Sequence, residues 1–527
     1  MHVGTSYKQR TPDGAFDAIV VGSGIGGLAC AAALAKYGKK RVLVLERHYR
    51  IGGYTHAFSR RGYEWDVGVH YLGELGPRGA VRGIFDRLTD GTLRWAPLPD
   101  VYDRIVLGDR SYDYVTGARR FASKMIEYFP GETEAIGRYV TLVKQVSRAG
   151  ARYFVDRALP RAVSRLAGPL LRRGYMRYAT RTTREVLREL TRNEELIAVL
   201  TGQFGDYGLP PSRSSFAIHA AVASHYLGGA WYPIGGAGAI ARAFAPIVEA
   251  AGGELSHSAE VAEVLVEGGR AAGVRMRDGR TFRADLVISD AGAANTFGAL
   301  LPEAERPASL VKALRSATPS VGYMCLYLGF RHTDAELGLT GTNLWLYPDA
   351  DHDANIARFL ADPSAPLPLV YASFPSAKDP SFQERFPGRA TIDLITLCPW
   401  DWVEKWKDTT WMKRGADYEA LKASFSERLL EVLFARLPQL RGKVDHAELS
   451  TPLTTRHFAS HPRGELYGLD HDPARYRLPL RAQTPVPGLY LTGADLVSAG
   501  VAGGLVAGVL TAGAILGVRT ILDIMRR

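Results

Sequence analysis

The chain has 527 residues, of which 46% are hydrophobic and 23% charged, a composition that excludes a largely disordered protein and one with many membrane spans. Its length predicts two to four domains, or two interleaved ones, around a core that can bury a large ligand. The formal net charge of +11 indicates a basic surface, and the three separated cysteines have the spacing of neither a disulfide framework nor a metal site.

Residues 1–16 are polar and lack the apolar core of a secretory signal, so a cytoplasmic protein is expected. Residues 17–46 then indicate a strand, a glycine turn, an alanine-rich helix up to Tyr37 and a second strand. The turn, residues 22–27, has the sequence G-S-G-I-G-G and fits G-x-G-x-x-G. Because that motif binds dinucleotides in this order of elements, the segment predicts a Rossmann-type fold.

The glycines of the motif have different tasks. Gly22 permits the tight turn, Gly24 lets the backbone approach a pyrophosphate, and Gly27 lets helix and strand pack closely. Ser23 lies between the first two glycines. Glu46, 24 positions after Gly22, can accept hydrogen bonds from a ribose diol. These five residues form the first predicted cofactor-binding set.

Further along the chain, two kinds of segment alternate. Residues 253–274, 285–290 and 488–492 again predict strands of an α/β domain. Residues 103–230 are predicted to be largely helical and basic, and residues 317–477 mix strands with aromatic residues. We therefore predict an α/β nucleotide-binding domain interleaved with an α+β domain that faces substrate and membrane. The predicted boundaries are 14–95, 231–305 and 484–518 for the first domain, and 96–230 and 306–483 for the second.

Most of the charge imbalance lies between residues 147 and 192, where arginines are interleaved with apolar residues. Basic amphipathic helices of this kind lie at anionic lipid headgroups, although a solvated helix face gives the same pattern. No nucleic-acid motif accompanies the charge, so nucleic acid is not predicted as a partner. The arginines are Arg148, Arg152, Arg157, Arg161, Arg165, Arg172, Arg173, Arg177, Arg181, Arg184, Arg188 and Arg192.

Residues 497–518 contain no charged residue and are long enough to span a membrane. Six glycines and the position of the segment directly after a glycine-rich motif favour the alternative, a buried helix packed on the cofactor.

The identity of the dinucleotide is indicated by segments at both ends of the chain. Glu46-Arg47 followed by residues 50–53 (R-I-G-G), and residues 491–495 (L-T-G-A-D) followed by residues 500–504, resemble the glutathione reductase and amine oxidase group of flavoproteins. The resemblance implies FAD as the cofactor. It adds the following expected contacts: Arg47, Gly52, Gly53, Gly493, Asp495 and Val501.

Three further segments resemble phytoene desaturase-like enzymes, and in particular their retinol saturase and carotenoid isomerase branch. They are residues 231–236 (W-Y-P-I-G-G), 401–414 (D-W-V-E-K-W-K-D-T-T-W-M-K-R) and 451–468 (T-P-L-T-T-R-H-F-A-S-H-P-R-G-E-L-Y-G). The similarity runs from residue 17 to residue 517 and adds Val261 to the expected FAD contacts. It implies an oxidoreductase that saturates, desaturates or isomerises carbon–carbon double bonds of a retinoid, carotenoid or other isoprenoid lipid.

For the proton that accompanies hydride transfer, we predict His70, Tyr71 and Tyr467 near the reacting bond, in an apolar tunnel between the domains. Tyr232 and His457 are further candidates, and each of the five could equally tie down a loop or line a cavity. A second dinucleotide motif is absent from the sequence, so the electron donor or acceptor stays open. A flavin amine oxidase and a lipid-binding flavoprotein without redox turnover are the alternatives. Peripheral attachment to the inner face of a membrane is expected.

Overall fold

The computed structural model describes residues 3–526 and contains a six-stranded sheet in which every pair of neighbouring strands is parallel. Its strands come from distant parts of the chain, and the last four in the spatial order below are almost entirely apolar, as expected for a parallel sheet covered on both faces. In spatial order they are Thr5–Ser6, Glu254–His257, Val42–Leu45, Ala18–Val21, Leu286–Ser289 and Leu489–Leu491.

Two buried helices, Ile25–Gly38 and Gly500–Leu516, pack against each other beside this sheet. Their backbones approach closely because Gly504 faces Ile25, where a β-carbon would lie 2.6 Å from Ile25 Cγ2, and Gly508 is equally tight against Ala29. The apolar segment 497–518 therefore forms a helix packed within the protein. Across residues 3–526, every helix is too short or too polar to cross a membrane.

A second, seven-stranded sheet is mixed, because strands Asn343–Tyr347 and Val101–Leu107 run parallel and all other neighbours are antiparallel. Two of its strands fall in the region that was predicted to be largely helical. One of them, Val101–Leu107, pairs with a strand more than 200 residues later, a contact that local sequence does not reveal. The other, Arg110–Val115, forms a hairpin with Val101–Leu107. In spatial order the strands are Val444–Ser450, Gly322–Phe330, Ala390–Cys398, Val370–Ser373, Asn343–Tyr347, Val101–Leu107 and Arg110–Val115.

The remaining strands form three small antiparallel sheets. One has three strands, Val261–Glu267, Arg270–Met276 and Thr281–Arg283. The other two are a hairpin of Ala57–Arg60 with Tyr63–Asp66 and a pair of strands distant in sequence, Trp95–Pro97 with Trp231–Pro233.

Helices fill the remaining layers, and the arginine-rich stretch forms two long ones that pack together, Thr133–Ala158 and Arg161–Ala179. The strands of each large sheet come from separate sequence blocks, which agrees with interleaved domains, while the boundaries themselves stay a prediction. The other α-helices are Ala80–Leu88, Ala118–Tyr128, Thr183–Leu187, Glu194–Leu200, Phe216–Tyr226, Gly238–Glu249, Ala293–Asn295, Ala308–Arg315, Asp334–Leu337, His352–Ala361, Pro375–Lys378, Phe382–Arg385, Ala416–Arg436, Pro452–Ala459 and Val518–Met525.

Candidate active site

A cavity of about 1890 Å³ runs from the carboxyl ends of the parallel strands to the inner face of the seven-stranded sheet. At one end it is lined by the glycine turn, with Gly22 and Gly24, and by Gly493. At the other end it is lined by aromatic side chains such as Tyr371 and Trp345. The volume exceeds the ~300–1,000 Å³ of a usual small-molecule pocket, so a dinucleotide and a second ligand can share it.

The first end is organised around Glu46, which directly follows the strand Val42–Leu45. Its carboxylate accepts hydrogen bonds from Ser23 N (2.8 Å), Ser23 Oγ (2.7 Å) and His48 N (2.7 Å). Ser23 Oγ in turn accepts from Gly52 N (2.9 Å) and thereby joins the glycine turn to the second glycine loop. Ser23 and Gly52 thus position the cradle from behind, and Glu46 lines the cavity.

The two glycine loops approach each other too closely for side chains. A β-carbon on Gly53 would lie 2.8 Å from Gly24 Cα, and one on Gly26 would lie 2.8 Å from Gly493 Cα. The surface that remains is bare backbone at the start of the helix Ile25–Gly38, whose first turn carries no acidic residue. This is the geometry that accepts a pyrophosphate.

Asp290, which follows the strand Leu286–Ser289, lies among these glycines and was not among the predicted site residues. Burial raises the pKa of this carboxyl to about 7, and the backbone N–H groups of Gly27 and Gly24 oppose the shift. A carboxyl that readily takes up a proton does not repel a bound pyrophosphate as a fixed charge would. The signal that could have identified Asp290 is its position at the carboxyl end of Leu286–Ser289, the strand next to Ala18–Val21, which leads into the glycine turn.

The C-terminal motif closes the same end of the cavity. Asp495 accepts hydrogen bonds from Leu469 N (2.9 Å) and Ala293 N (2.7 Å), so its carboxylate already holds two loops together. Gly493, Asp495 and Val501 all line the cavity, and Val501 belongs to the first turn of the helix Gly500–Leu516. The residues at this end therefore fit FAD: a bare helix start, a ribose acceptor, and a second helix start facing the same space.

The opposite end contains a buried polar network under the aromatic lining. Tyr71 Oη donates to Asp103 Oδ2 (2.9 Å) and lies 3.3 Å from Asp206 Oδ2. Asp103 also accepts from Gln203 Nε2 (2.7 Å) and Asn343 Nδ2 (2.8 Å). Burial raises the pKa of Asp103, and these three donors oppose the shift.

His70 and Lys378 belong to the adjoining part of this network. His70 Nδ1 lies 3.5 Å from Asp393 Oδ2, and the carboxylate oxygens of Asp393 have no hydrogen-bond partner among the described residues. Lys378 Nζ donates to the His70 carbonyl (2.9 Å), to Ser373 Oγ (2.7 Å) and to Asn343 Oδ1. Burial lowers the pKa of Lys378 to about 7, against the attraction of Asp103 and Asp393.

The structure brings most of the predicted site residues to this one cavity. Behind it, Ser23 and Gly52 support Glu46, and Gly27 packs against the Gly22 carbonyl. Those that line the cavity are Gly22, Gly24, Glu46, Arg47, Gly53, Val261, Gly493, Asp495, Val501, His70, Tyr71 and Tyr467.

Two further candidates lie outside the cavity. Tyr232 Oη bonds to Asp66, a buried carboxyl that also accepts from Ala237 N (3.0 Å), and His457 stacks on Trp411 at 5.2 Å between ring centroids. Neither side chain lines the cavity, and the prediction that Tyr232 or His457 transfers a proton stays a prediction.

The chain matches a known protein family and several characterised relatives. Residues 25–387 match the family described as flavin containing amine oxidoreductase. All-trans-retinol 13,14-reductase of Danio rerio is 39% identical over 531 residues, covering 96% of this chain and 86% of that protein. Prolycopene isomerase 2, chloroplastic, of an Oncidium hybrid cultivar is 26% identical over 473 residues, covering 85% of this chain and 74% of that protein.

Among solved structures, wild-type putrescine oxidase bound to putrescine superposes with a TM-score of 0.61 at 17% identity, covering 96% of this chain and 100% of that one. At this identity the likeness concerns the fold alone. The predicted Rossmann-type α/β fold, the flavin cofactor and the resemblance to the retinol saturase and carotenoid isomerase branch are confirmed by these matches. The chain is an FAD-dependent oxidoreductase and belongs to the flavin-containing amine oxidoreductase family.

Proposed function

We propose that the protein saturates, desaturates or isomerises a carbon–carbon double bond in a retinoid, carotenoid or other polyene lipid. The observation that carries the proposal is the continuity of the cavity, in which the dinucleotide cradle opens directly into an aromatic, largely apolar end. An elongated apolar molecule can lie there with one double bond beside the flavin. Two relatives are named for a retinol reduction and for a prolycopene isomerisation, and the first supports saturation most directly.

In this assignment the glycine turn and the start of the helix Ile25–Gly38 would hold the pyrophosphate, and Glu46 would hold the adenosine ribose. Gly493, Asp495 and Val501, which line the same cavity, would hold the flavin side, and Arg47, Gly53 and Val261 would contact the rest of the cofactor. Bound FAD supplies hydride exchange with a substrate carbon. The chain contributes orientation of the lipid, exclusion of water and a proton, with His70, Tyr71 and Tyr467 placed at the lipid end.

The proposal is tested by extracting the purified protein with organic solvent and identifying the lipid by mass spectrometry. The anaerobic, chemically reduced holoenzyme is then mixed with all-trans-retinol, with a carotenoid or with putrescine. Reoxidation of the flavin by a polyene supports the proposal, and the product mass distinguishes saturation from isomerisation. If an amine reduces the oxidised flavin and no polyene reacts with either flavin state, the protein is an amine oxidase instead. The electron partner is sought by the same assay with quinones, oxygen and reduced nicotinamides.

We also propose that the protein docks peripherally on an anionic membrane through the helix Arg161–Ala179. Leu166 is 87% exposed and Leu170 is 79% exposed, values that water alone does not favour for large apolar side chains. Spacings of three and four residues place both leucines on one stripe with the exposed Arg173 and Arg177. A stripe of leucine followed by arginine is suited to the boundary between acyl chains and headgroups.

Not every arginine of the stretch belongs to this surface. Arg157 donates to the carbonyls of Leu478 (3.2 Å) and Leu480, and Arg172 Nε lies 3.6 Å from Asp156 Oδ2. These two arginines anchor loops, so the cationic part of the proposed surface is formed by other members of the stretch, such as Arg161, Arg165, Arg173 and Arg177.

The two long helices also connect this surface with the cavity. Lys144, Arg148 and Phe154 from the helix Thr133–Ala158 and Tyr175 from the next helix line the cavity from the inside. The helix Arg161–Ala179 therefore carries both the exposed leucines and a residue that lines the cavity, Tyr175. The arrangement favours uptake of the substrate directly from the membrane.

Liposome sedimentation tests the docking proposal. Replacing Leu166 and Leu170 with serine removes apolar burial of roughly 1.5–3 kcal/mol for each leucine, so binding to vesicles that contain phosphatidylserine should weaken at least tenfold. The matched control is Leu360→Ser, which changes an exposed leucine (45%) on the separate helix His352–Ala361 and should leave binding unchanged. Equal sedimentation of the double variant and the parent protein would exclude this surface.

A further inference from the structure

The aromatic end of the cavity, where the lipid would lie, also contains a carboxylic acid, Asp206. It is half-buried, it lines the cavity, and it follows Gly205 in a tight helical turn. The Gly205 carbonyl accepts hydrogen bonds from Tyr323 Oη (2.9 Å) and Tyr467 Oη (2.8 Å). A β-carbon on Gly205 would lie 2.6 Å from the Trp345 ring, so the peptide that carries Asp206 is held on several sides.

The number of protons around Tyr71 indicates the state of this acid. Tyr71 has one hydroxyl proton, and its oxygen contacts two carboxyls, Asp103 at 2.9 Å and Asp206 at 3.3 Å. Asp103 accepts from Gln203 and Asn343 as well, an arrangement suited to a carboxylate. The Tyr71 proton therefore belongs to Asp103, and the contact with Asp206 is favourable only when Asp206 carries a proton and donates it to Tyr71 Oη.

The electrostatic environment of Asp206 also favours its protonated form. Burial raises the pKa of Asp206 well above its usual range, and the neighbouring charge of Asp103 raises it further, while the hydrogen bond with Tyr71 opposes both effects. The short contact with Tyr71 Oη and the burial of the side chain both favour the protonated form of Asp206 at the wall of the cavity.

The other acidic hydrogens at this end are less suitable. The hydroxyl protons of Tyr323 and Tyr467 are donated to the Gly205 carbonyl, and that of Tyr71 to Asp103. Burial raises the pKa of Tyr371 well above 10, which makes its phenol a weak acid. His70 directs Nδ1 towards Asp393 and, as a residue that lines the cavity, is a competitor. The Lys378 ammonium is less suitable, because it donates to the His70 carbonyl, Ser373 Oγ and Asn343 Oδ1 and does not line the cavity.

We propose that Asp206 is the catalytic acid that protonates the substrate double bond during saturation, and the base that removes the proton in the reverse direction. The inference rests on the proposed function. In the step, the π bond of the substrate breaks, one carbon receives a hydride from reduced FAD, and the other forms a bond to the Asp206 proton. The two electrons come from the flavin, which is oxidised. The resulting Asp206 carboxylate accepts the Tyr71 hydroxyl proton as a hydrogen bond and is reprotonated from water.

The test uses the full-length holoenzyme with Asp206→Asn, which preserves shape and removes the acid, and with Asp334→Asn as the matched control. Asp334 is also a half-buried acid whose pKa is raised mainly by burial, but it lies away from the cavity, where it accepts from Ser376 Oγ (2.6 Å). Each chemically reduced protein is mixed anaerobically with all-trans-retinol, and flavin reoxidation is followed in a single turnover. Infrared spectra of the oxidised proteins at neutral pH record the carbonyl band of protonated carboxylic acids.

For Asp206→Asn we expect full FAD content, reoxidation slowed about 10²-fold or more, and loss of part of the protonated-carboxyl band. Asp334→Asn should react at the parent rate. Reoxidation of Asp206→Asn at the parent rate, or an unchanged carboxyl band, overturns the inference and leaves the proposed function intact. A tenfold or larger loss in His70→Gln together with a normal rate in Asp206→Asn assigns the proton to His70 instead. A parent protein that transfers electrons to no polyene overturns the proposed function and, with it, the role of Asp206.

Discussion

The close approach of the two glycine loops can be tested by adding a single methyl group at Gly53. This residue has φ +53°, and a β-carbon there would lie 2.8 Å from Gly24 Cα and 3.4 Å from Gly24 N. An alanine in left-handed backbone costs about 1–2 kcal/mol, and forcing a methyl group into a packed contact costs about 1–3 kcal/mol. The first cost is present with and without FAD.

The second cost affects FAD binding directly. The free protein relieves the contact when the two loops move apart, whereas the pyrophosphate needs both loops at their present separation. We therefore expect Gly53→Ala to weaken FAD binding by about 10- to 10²-fold, since each 1.4 kcal/mol corresponds to a factor of ten. A fluorescence titration of the apoprotein with FAD measures the dissociation constant, and thermal unfolding without FAD measures the stability.

The matched control is Gly388→Ala. Gly388 has φ +67°, and no described atom lies within 4 Å of a β-carbon at this position. The control should lose a similar 1–2 kcal/mol of stability from the backbone alone and bind FAD as the parent does. If Gly53→Ala also binds FAD with the parent dissociation constant, pyrophosphate binding does not require the close approach of the two loops, and the proposed cause of the weakening is wrong.

Three further predictions concern the ribose acceptor, the two cavity tyrosines and a buried histidine. Glu46→Ala should abolish FAD retention during purification, because it removes the ribose acceptor and the partner of the glycine turn; a fully yellow variant would contradict this. Tyr71→Phe should slow single-turnover flavin reoxidation about 10²-fold, whereas Tyr467→Phe should stay within tenfold because a second tyrosine still bonds Gly205; equal rates in both variants would show that the hydroxyl of Tyr71 has no special role. Burial lowers the pKa of His219 from 6.5 to about 3. Protonation of this histidine therefore favours the unfolded chain, and the free energy of unfolding declines as the pH falls from 6.5 towards 3. His219→Gln should flatten the pH dependence of the melting temperature in that window, and an unchanged slope would refute the assignment.

The sequence by itself determined the features that depend on residues close together in the chain, namely the glycine turn and the carboxylate that follows the next strand. The order strand, glycine turn, helix and strand forces a bare helix start at residues 22–27, because a G-x-G-x-x-G turn has few other conformations that satisfy both elements. Glu46 follows because the second strand is parallel to the first and ends at the same edge of the sheet. The cofactor class could therefore be predicted before any tertiary contact was known.

The chemistry of the lipid end depended on tertiary structure. Tyr71, Asp103 and Asp206 are separated by up to 135 positions. Only the folding of a helical segment onto the seven-stranded sheet brings Tyr71 Oη to within 3.3 Å of a carboxyl oxygen of each aspartate. The prediction from sequence that Tyr71 and Tyr467 lie near the reacting bond stays a prediction. The sequence could not show that their hydroxyl protons are donated to Asp103 and to a backbone carbonyl. The same holds for Arg157, whose charge looks like part of a surface until its carbonyl partners are known. Proton availability is set by which acceptors surround a donor and by how deeply both are buried, and these quantities exist only once distant segments have packed together.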